Sequence, residues 1–114
     1  MQVHRLPVHA LSRFDSSGVE LVPVGRALGT ALVHVVRVEA GGTIGEHPAT
    51  VDQVLTVVSG RARVSGEDGA VAEVGPGDAV EWRAGETHQT WAVTDLVATI
   101  VESGDGIEVA GAQA

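Results

Sequence analysis

Between Ala31 and Val101 short runs of β-branched residues alternate with Gly, Pro, Asp and Ser. That rhythm predicts many short antiparallel strands. No stretch repeats its apolar residues at helical spacing. The predicted strands are Ala31 to Glu39, Asp52 to Val58, Arg61 to Ser65, Ala70 to Val74, Ala79 to Trp82, His88 to Ala92 and Leu96 to Glu102. Turns fall at Gly41-Gly42, Ser59-Gly60, Gly66 to Gly69, Gly75 to Asp78 and Arg83 to Gly85. Even spacing of this kind suits an all-β double-sheet jelly roll.

Charged residues fix the phase within a strand, because side chains alternate between core and solvent. With Arg37 and Glu39 outward, Leu32, His34, Val36 and Val38 face in. Arg61 and Arg63 outward put Ala62 and Val64 inside, and Glu81 outward puts Val80 and Trp82 inside. Trp91 falls on an outer face. On the strand from Asp52, the face bearing Val54, Thr56 and Val58 is apolar enough to require cover. That cover is expected from the amino-terminal segment or from a second subunit, so a homodimer is predicted.

The pattern divides the chain into three parts. Residues 1–30 form a segment that packs on the barrel or across a dimer, with an edge strand over Val19 to Val24 limited by Pro23. Residues 31–103 form the barrel. Residues 104–114, with Gly104, Gly106 and Gly111, have little to bury and are expected to fray. His4 and His9 are read as surface residues.

Composition narrows the chemistry. A chain of 114 residues with no cysteine is one domain without disulfides, thiolate metal sites or a cysteine nucleophile. The formal net charge of -8, with no lysine, repels a phosphate backbone, and the scarcity of aromatic side chains leaves no stacking platform for bases. Nucleic-acid binding is not expected. Neither a signal-like leader nor an apolar run of membrane-spanning length is present, so a soluble cytoplasmic protein is expected. There is no Gly-x-Ser-x-Gly elbow, phosphate loop or dinucleotide fingerprint. Glu46 and Asp52 are phased toward solvent, so no paired-carboxylate hydrolase is visible.

Two glycine-framed blocks remain: Gly41-x5-His47-x-Ala49-x3-Gln53-x6-Gly60 and Gly77-x5-Arg83-x-Gly85-x2-His88-x3-Ala92. Their spacing resembles the paired motifs of the cupin family, G-x5-H-x-H-x3-E-x6-G and G-x5-P-x-G-x2-H-x3-N. The resemblance covers about Val38 to Val101. It implies a double-stranded β-helix barrel in which three histidines and a glutamate hold a metal. Here the second histidine is replaced by Ala49 and the glutamate by Gln53.

By that resemblance the candidate metal ligands are His47, Gln53 and His88. Two imidazoles and a carboxamide oxygen suit nickel, iron, zinc or copper comparably, and leave the rest of the shell to water. The alternative is a metal-free pocket in which Gln53 hydrogen-bonds His47 or His88 and the barrel binds a small molecule or serves structurally. His34, if inward, is either a third imidazole for the place left by Ala49 or a buried, hydrogen-bonded histidine. Trp82 is a core or pocket-wall residue. Arg83 stands where the family has proline, as an exposed charge or as an anchor for an anionic substrate at the barrel mouth.

Overall fold

The computed structural model describes residues 1–113. They form fourteen strands: β1 (Gln2–Arg5), β2 (His9–Ala10), β3 (Glu20–Leu21), β4 (Gly25–Ala27), β5 (Leu32–Val38), β6 (Thr43–Pro48), β7 (Asp52–Ser59), β8 (Ala62–Ser65), β9 (Val71–Val74), β10 (Asp78–Trp82), β11 (Thr87–Ala92), β12 (Leu96–Ser103), β13 (Ile107–Val109) and β14 (Ala112–Gln113). Among the described residues no helix is long and apolar enough to cross a membrane.

A six-stranded antiparallel sheet in the order β14-β1-β10-β7-β12-β5 faces a four-stranded sheet in the order β6-β11-β8-β9. Alternation decides what lies between them. Leu55, Val57, Val80, Trp82, Ala98 and Ile100 from the first sheet meet Ala62, Val64, Val74 and Ala92 from the second. Of these, Ala62, Val64, Val80 and Trp82 are residues that the charge-set phase turns inward. Full burial of a side chain the size of Leu55 contributes roughly 1.5–3 kcal/mol.

The opposite face of the six-stranded sheet carries a second cluster. Val54 and Ala79 pack with Leu6 and Ile107, flanked by Val24, Val101 and Val109. Cover for the apolar back of β7 therefore comes from the amino-terminal segment and from beyond Ser103. Val58 stays exposed, outside that cluster, at a bulge where Val97 and Ala98 pair with Ser59 and Val57.

Several expectations are corrected. Within the tail expected over residues 104–114, residues up to 113 carry pairing, β13 with β4, burying Ile107, and β14 with β1, while Ala114 lies outside the described residues. His4 is buried rather than on the surface, and its Nε2–H donates to Glu81 at 3.0 Å. Glu81 does point away from the barrel core, but β1 lies beside it and leaves it only 6% exposed. The strand expected over Val19 to Val24 shortens to Glu20–Leu21, paired with β2. His34 pairs with Ile100 and shares its interior face, yet it is exposed because β5 is the terminal strand of its sheet.

Candidate functional site

The site begins with a fault in a ladder. On β11 and β6, His88 pairs with His47 and Thr90 with Ile44, so two steps on one strand oppose three on the other. Such a bulge reverses the alternation locally. Ile44 can then pack on the core while His47, an odd number of residues away, stands beside His88. The two imidazole centroids are 4.5 Å apart and tilted by 54°.

Each ring is held from behind by a backbone carbonyl. His47 Nδ1–H donates to Gly45 O at 2.7 Å, and His88 Nδ1–H donates to Glu86 O at 3.1 Å. A carbonyl accepts only, so in the neutral ring the proton sits on Nδ1 and Nε2 keeps a bare lone pair. His88 Nε2 is buried and has no partner. Burial, first, holds the His88 pKa below the usual histidine range; the Glu86 carbonyl opposes this, the His47 charge adds to it, and the Glu86 and Glu102 carboxylates again oppose it. His88 is a neutral ring, stacked on fully buried Trp82 at 4.4 Å and 29°. Trp82 is fixed in turn by its Nε1–H bond to Ser65 O at 3.0 Å.

The two sequence blocks are stitched together at Glu86. Its carbonyl accepts from Ala49 N–H at 2.9 Å as well as from His88, while Gly85 N–H donates to Ala49 O at 2.7 Å. The Glu86 side chain accepts from Arg83 N–H at 3.0 Å and pairs with the amino-terminal ammonium. Burial raises its pKa, but that ammonium and its hydrogen bonds outweigh burial and hold the carboxyl below the ordinary glutamate range. The frame glycines Gly41, Gly60, Gly77 and Gly85 all have φ between +83° and +89°. At Gly60 a Cβ would also lie 2.0 Å from the Asp95 carbonyl oxygen, so both φ and space demand glycine there.

Gln53 is buried and pairs with Trp82 on one side and Glu102 on the other. No hydrogen bond joins it to either histidine: both Nδ1 atoms are committed to carbonyls and His88 Nε2 is unpartnered. Ala49, only 3% exposed, offers a methyl group where a second imidazole would stand. Among the described residues no three His, Asp or Glu side chains are close enough to hold an ion. The structure thus brings together the exposed His47 and the buried His88, links Gln53 to them only through Trp82, its partner on β10, which stacks on His88, and leaves His34 apart.

Other candidates fall outside the interior. Arg83 is exposed, with Glu81 and Asp52 carboxylates at 3.5 and 3.6 Å that offset its charge. Trp91 lies half-buried with Arg63 5.6 Å over its ring. Glu46 is exposed, and Asp52 accepts from Ala84 N–H at 2.9 Å. Glu102 was passed over in the sequence reading. Its signal is parity: it follows Leu96, Ala98 and Ile100, all core residues, at the same two-residue step.

A two-sheet antiparallel barrel that sets the buried His88 beside the exposed His47 near one edge defines a class, the small jelly-roll barrels. Residues 34–106 match the Cupin domain family, and the chain belongs to it. Among solved structures, a conserved protein of unknown function from Streptococcus pyogenes is similar at 24% identity and TM-score 0.59, over 74% of this chain and 67% of that one. A cupin-like protein from Thermotoga maritima is similar at 22% identity and TM-score 0.61, over 72% and 65%. The DMSP lyase DddQ from Ruegeria pomeroyi is similar at 25% identity and TM-score 0.61, over 66% of this chain but only 39% of the lyase. No protein of curated function matches the sequence.

Proposed function

We propose that this barrel binds a divalent transition metal, nickel, iron, zinc or copper, through His47 Nε2, His88 Nε2 and the Gln53 carboxamide oxygen, and acts on or binds a small polar metabolite there. One observation carries the reading: both imidazoles donate Nδ1–H to backbone carbonyls and so keep Nε2 free. Backbone acceptors of this kind fix the tautomer and aim of metal-bound histidines. The resident ion would supply Lewis-acid activation at its water-filled positions. The chain's own residues do the positioning: Trp82 clamps the His88 ring, Glu86 O sets its proton, and the β6 bulge brings His47 alongside. That DddQ is a lyase supports a reading in which barrels of this shape carry chemistry on small molecules.

A metal-free ligand pocket is favoured by one specific feature, the loss of two donors at Ala49 and Gln53. Metal content per chain separates the two readings. A near-stoichiometric ion in the purified protein, lost in the His47→Ala, His88→Ala double variant, is the expected result. No ion after incubation with nickel, iron, zinc and copper would overturn the metal reading and leave the pocket.

We also propose a homodimer. Nine of the twelve exposed large hydrophobic residues lie between Val8 and Val35. They fall on the amino-terminal segment and on β5, whose outer edge has no strand beside it among the described residues. An unpaired apolar edge of this length invites antiparallel pairing with its own copy about a two-fold axis.

A further inference from the structure

The back of the six-stranded sheet, away from the barrel core, is only partly covered. One rung of it runs through Ala79, Thr56, Thr99 and Val35 on β10, β7, β12 and β5. Exposure climbs along that rung, from full burial at Ala79 to 65% at Val35. Cover from Leu6 and Ile107 stops beside Val54 and Ala79. Where it stops, a cleft of about 360 Å³ opens, floored by Thr56 and Thr99 and walled by Val22, Val24, Val58 and Pro76. That volume falls at the small end of the range of ligand pockets, roughly 300–1,000 Å³. Backbone hydrogen bonds hold the walls in place. Gly77 N–H donates to Val57 O at 3.3 Å, Gly77 O accepts from Leu6 N–H at 2.9 Å, and Val24 O accepts from Ala110 N–H at 2.9 Å.

The polar side chains lining the cleft are the two threonines of its floor. Thr56 is only 7% exposed, and its Oγ1 has no hydrogen-bond partner among the described residues. A buried hydroxyl without a partner costs stability, and a ligand that supplies the partner recovers it. Turning χ1 from one staggered well to the next moves this oxygen and breaks no hydrogen bond. Thr99, half-buried, stands directly opposite across the ladder, which sets the two Cβ atoms roughly 4.5–5.5 Å apart. Two hydroxyls at that spacing, each able to donate and to accept, can share one ligand oxygen. No charged side chain lines the cleft, so a charged ligand would lose its hydration without compensation.

We infer that this cleft binds an uncharged small molecule with an apolar body and one hydroxyl or carbonyl oxygen. The oxygen sits between Thr56 and Thr99, and the body lies against Val22, Val24 and Val58. This site is on the opposite face of the sheet from the histidine pair and does not depend on what that pair holds.

The test is a nuclear magnetic resonance titration of the protein with p-cresol, with p-xylene, in which a methyl group replaces the hydroxyl, and with the p-toluate anion. In wild type, p-cresol should shift the backbone amides of Thr56, Val58, Gly77 and Thr99 saturably, p-xylene should bind more weakly, and p-toluate should leave them unmoved. In the Thr56→Val, Thr99→Val double variant the affinity for p-cresol should fall about threefold to tenfold, the worth of one or two neutral hydrogen bonds, while that for p-xylene holds. Val58→Asp, a change at an exposed position, should abolish binding of p-cresol without loss of the cooperative thermal transition. Equal affinity of wild type for p-cresol and p-xylene overturns the inference, and so does an unchanged affinity for p-cresol in either variant. No saturable shift at these amides with any probe overturns it as well. If wild type is silent but Val33→Lys with Val35→Lys binds p-cresol, a second copy of the chain occupies the cleft, which also overturns the small-molecule assignment.

Discussion

Replacing Trp82 by phenylalanine should cost the protein more than its size alone suggests, because the indole does two jobs. It is fully buried between the sheets, and its Nε1–H satisfies Ser65 O at 3.0 Å. Phenylalanine removes the pyrrole portion, worth about 1.5 kcal/mol in lost apolar burial at ~0.8 kcal/mol per methylene equivalent. It also leaves the Ser65 carbonyl without its donor, a further loss of roughly 1 kcal/mol. The sum, about 2.5 kcal/mol, corresponds to a melting temperature lower by about 10 °C for a chain of 114 residues. Trp91→Phe is the matched control, half-buried on the outside of the four-stranded sheet, and should cost less than about 1 kcal/mol. Urea unfolding of both variants measures the difference, each keeping one tryptophan as fluorophore. Equal costs would refute the assignment of Trp82 as the clamp between the sheets, and with it the account of how His88 is held.

Stability of the metal-free protein should fall with acidification through His88. Burial, its largest cause, holds the native pKa below the value of 6.5 for a free histidine, so the unfolded chain takes up the proton first. The contribution is complete above the unfolded pKa and is lost as pH drops through the depressed native one; His88→Asn should flatten the slope of the urea midpoint between about pH 7 and about pH 5, and an unchanged slope would count against it. For the dimer, light scattering should give two chains per particle for wild type and one for Val33→Lys with Val35→Lys, while a monomeric wild type ends the proposal.

Much of the fold was legible because its determinants are local. Apart from β6, the strands from Leu32 to Ser103 follow from β-branched runs and turn residues, and core faces follow from single charges such as Arg63 and Glu81, whereas the face set by Arg37 leaves Leu32 and His34 exposed on the edge strand. The frame glycines were legible as spacing before their positive φ was known. β6 was not predicted as a strand, since Thr-Ile-Gly-Glu-His-Pro has neither alternation nor β-branched density, and its pairing with β11 depends on a bulge that no local pattern announces. Burial of His4 was hidden for a different reason. A polar residue near a chain end reads as exposed unless its partner, here Glu81, is known to be 77 residues away in sequence and 3.0 Å away in space.

The site divides along the same line. His47 and His88 were visible because the family fixes their spacing, and the structure explains that spacing through one atom, the Glu86 carbonyl, which ties Ala49 to the second block and orients His88 at once. A motif of this kind encodes backbone contacts between strands as much as ligands, so the frame can persist when two donors are exchanged for Ala49 and Gln53. Glu102 was invisible to motif spacing since it belongs to neither block. It shares the parity of Leu96, Ala98 and Ile100, which was not drawn on, and register places it beside Gln53.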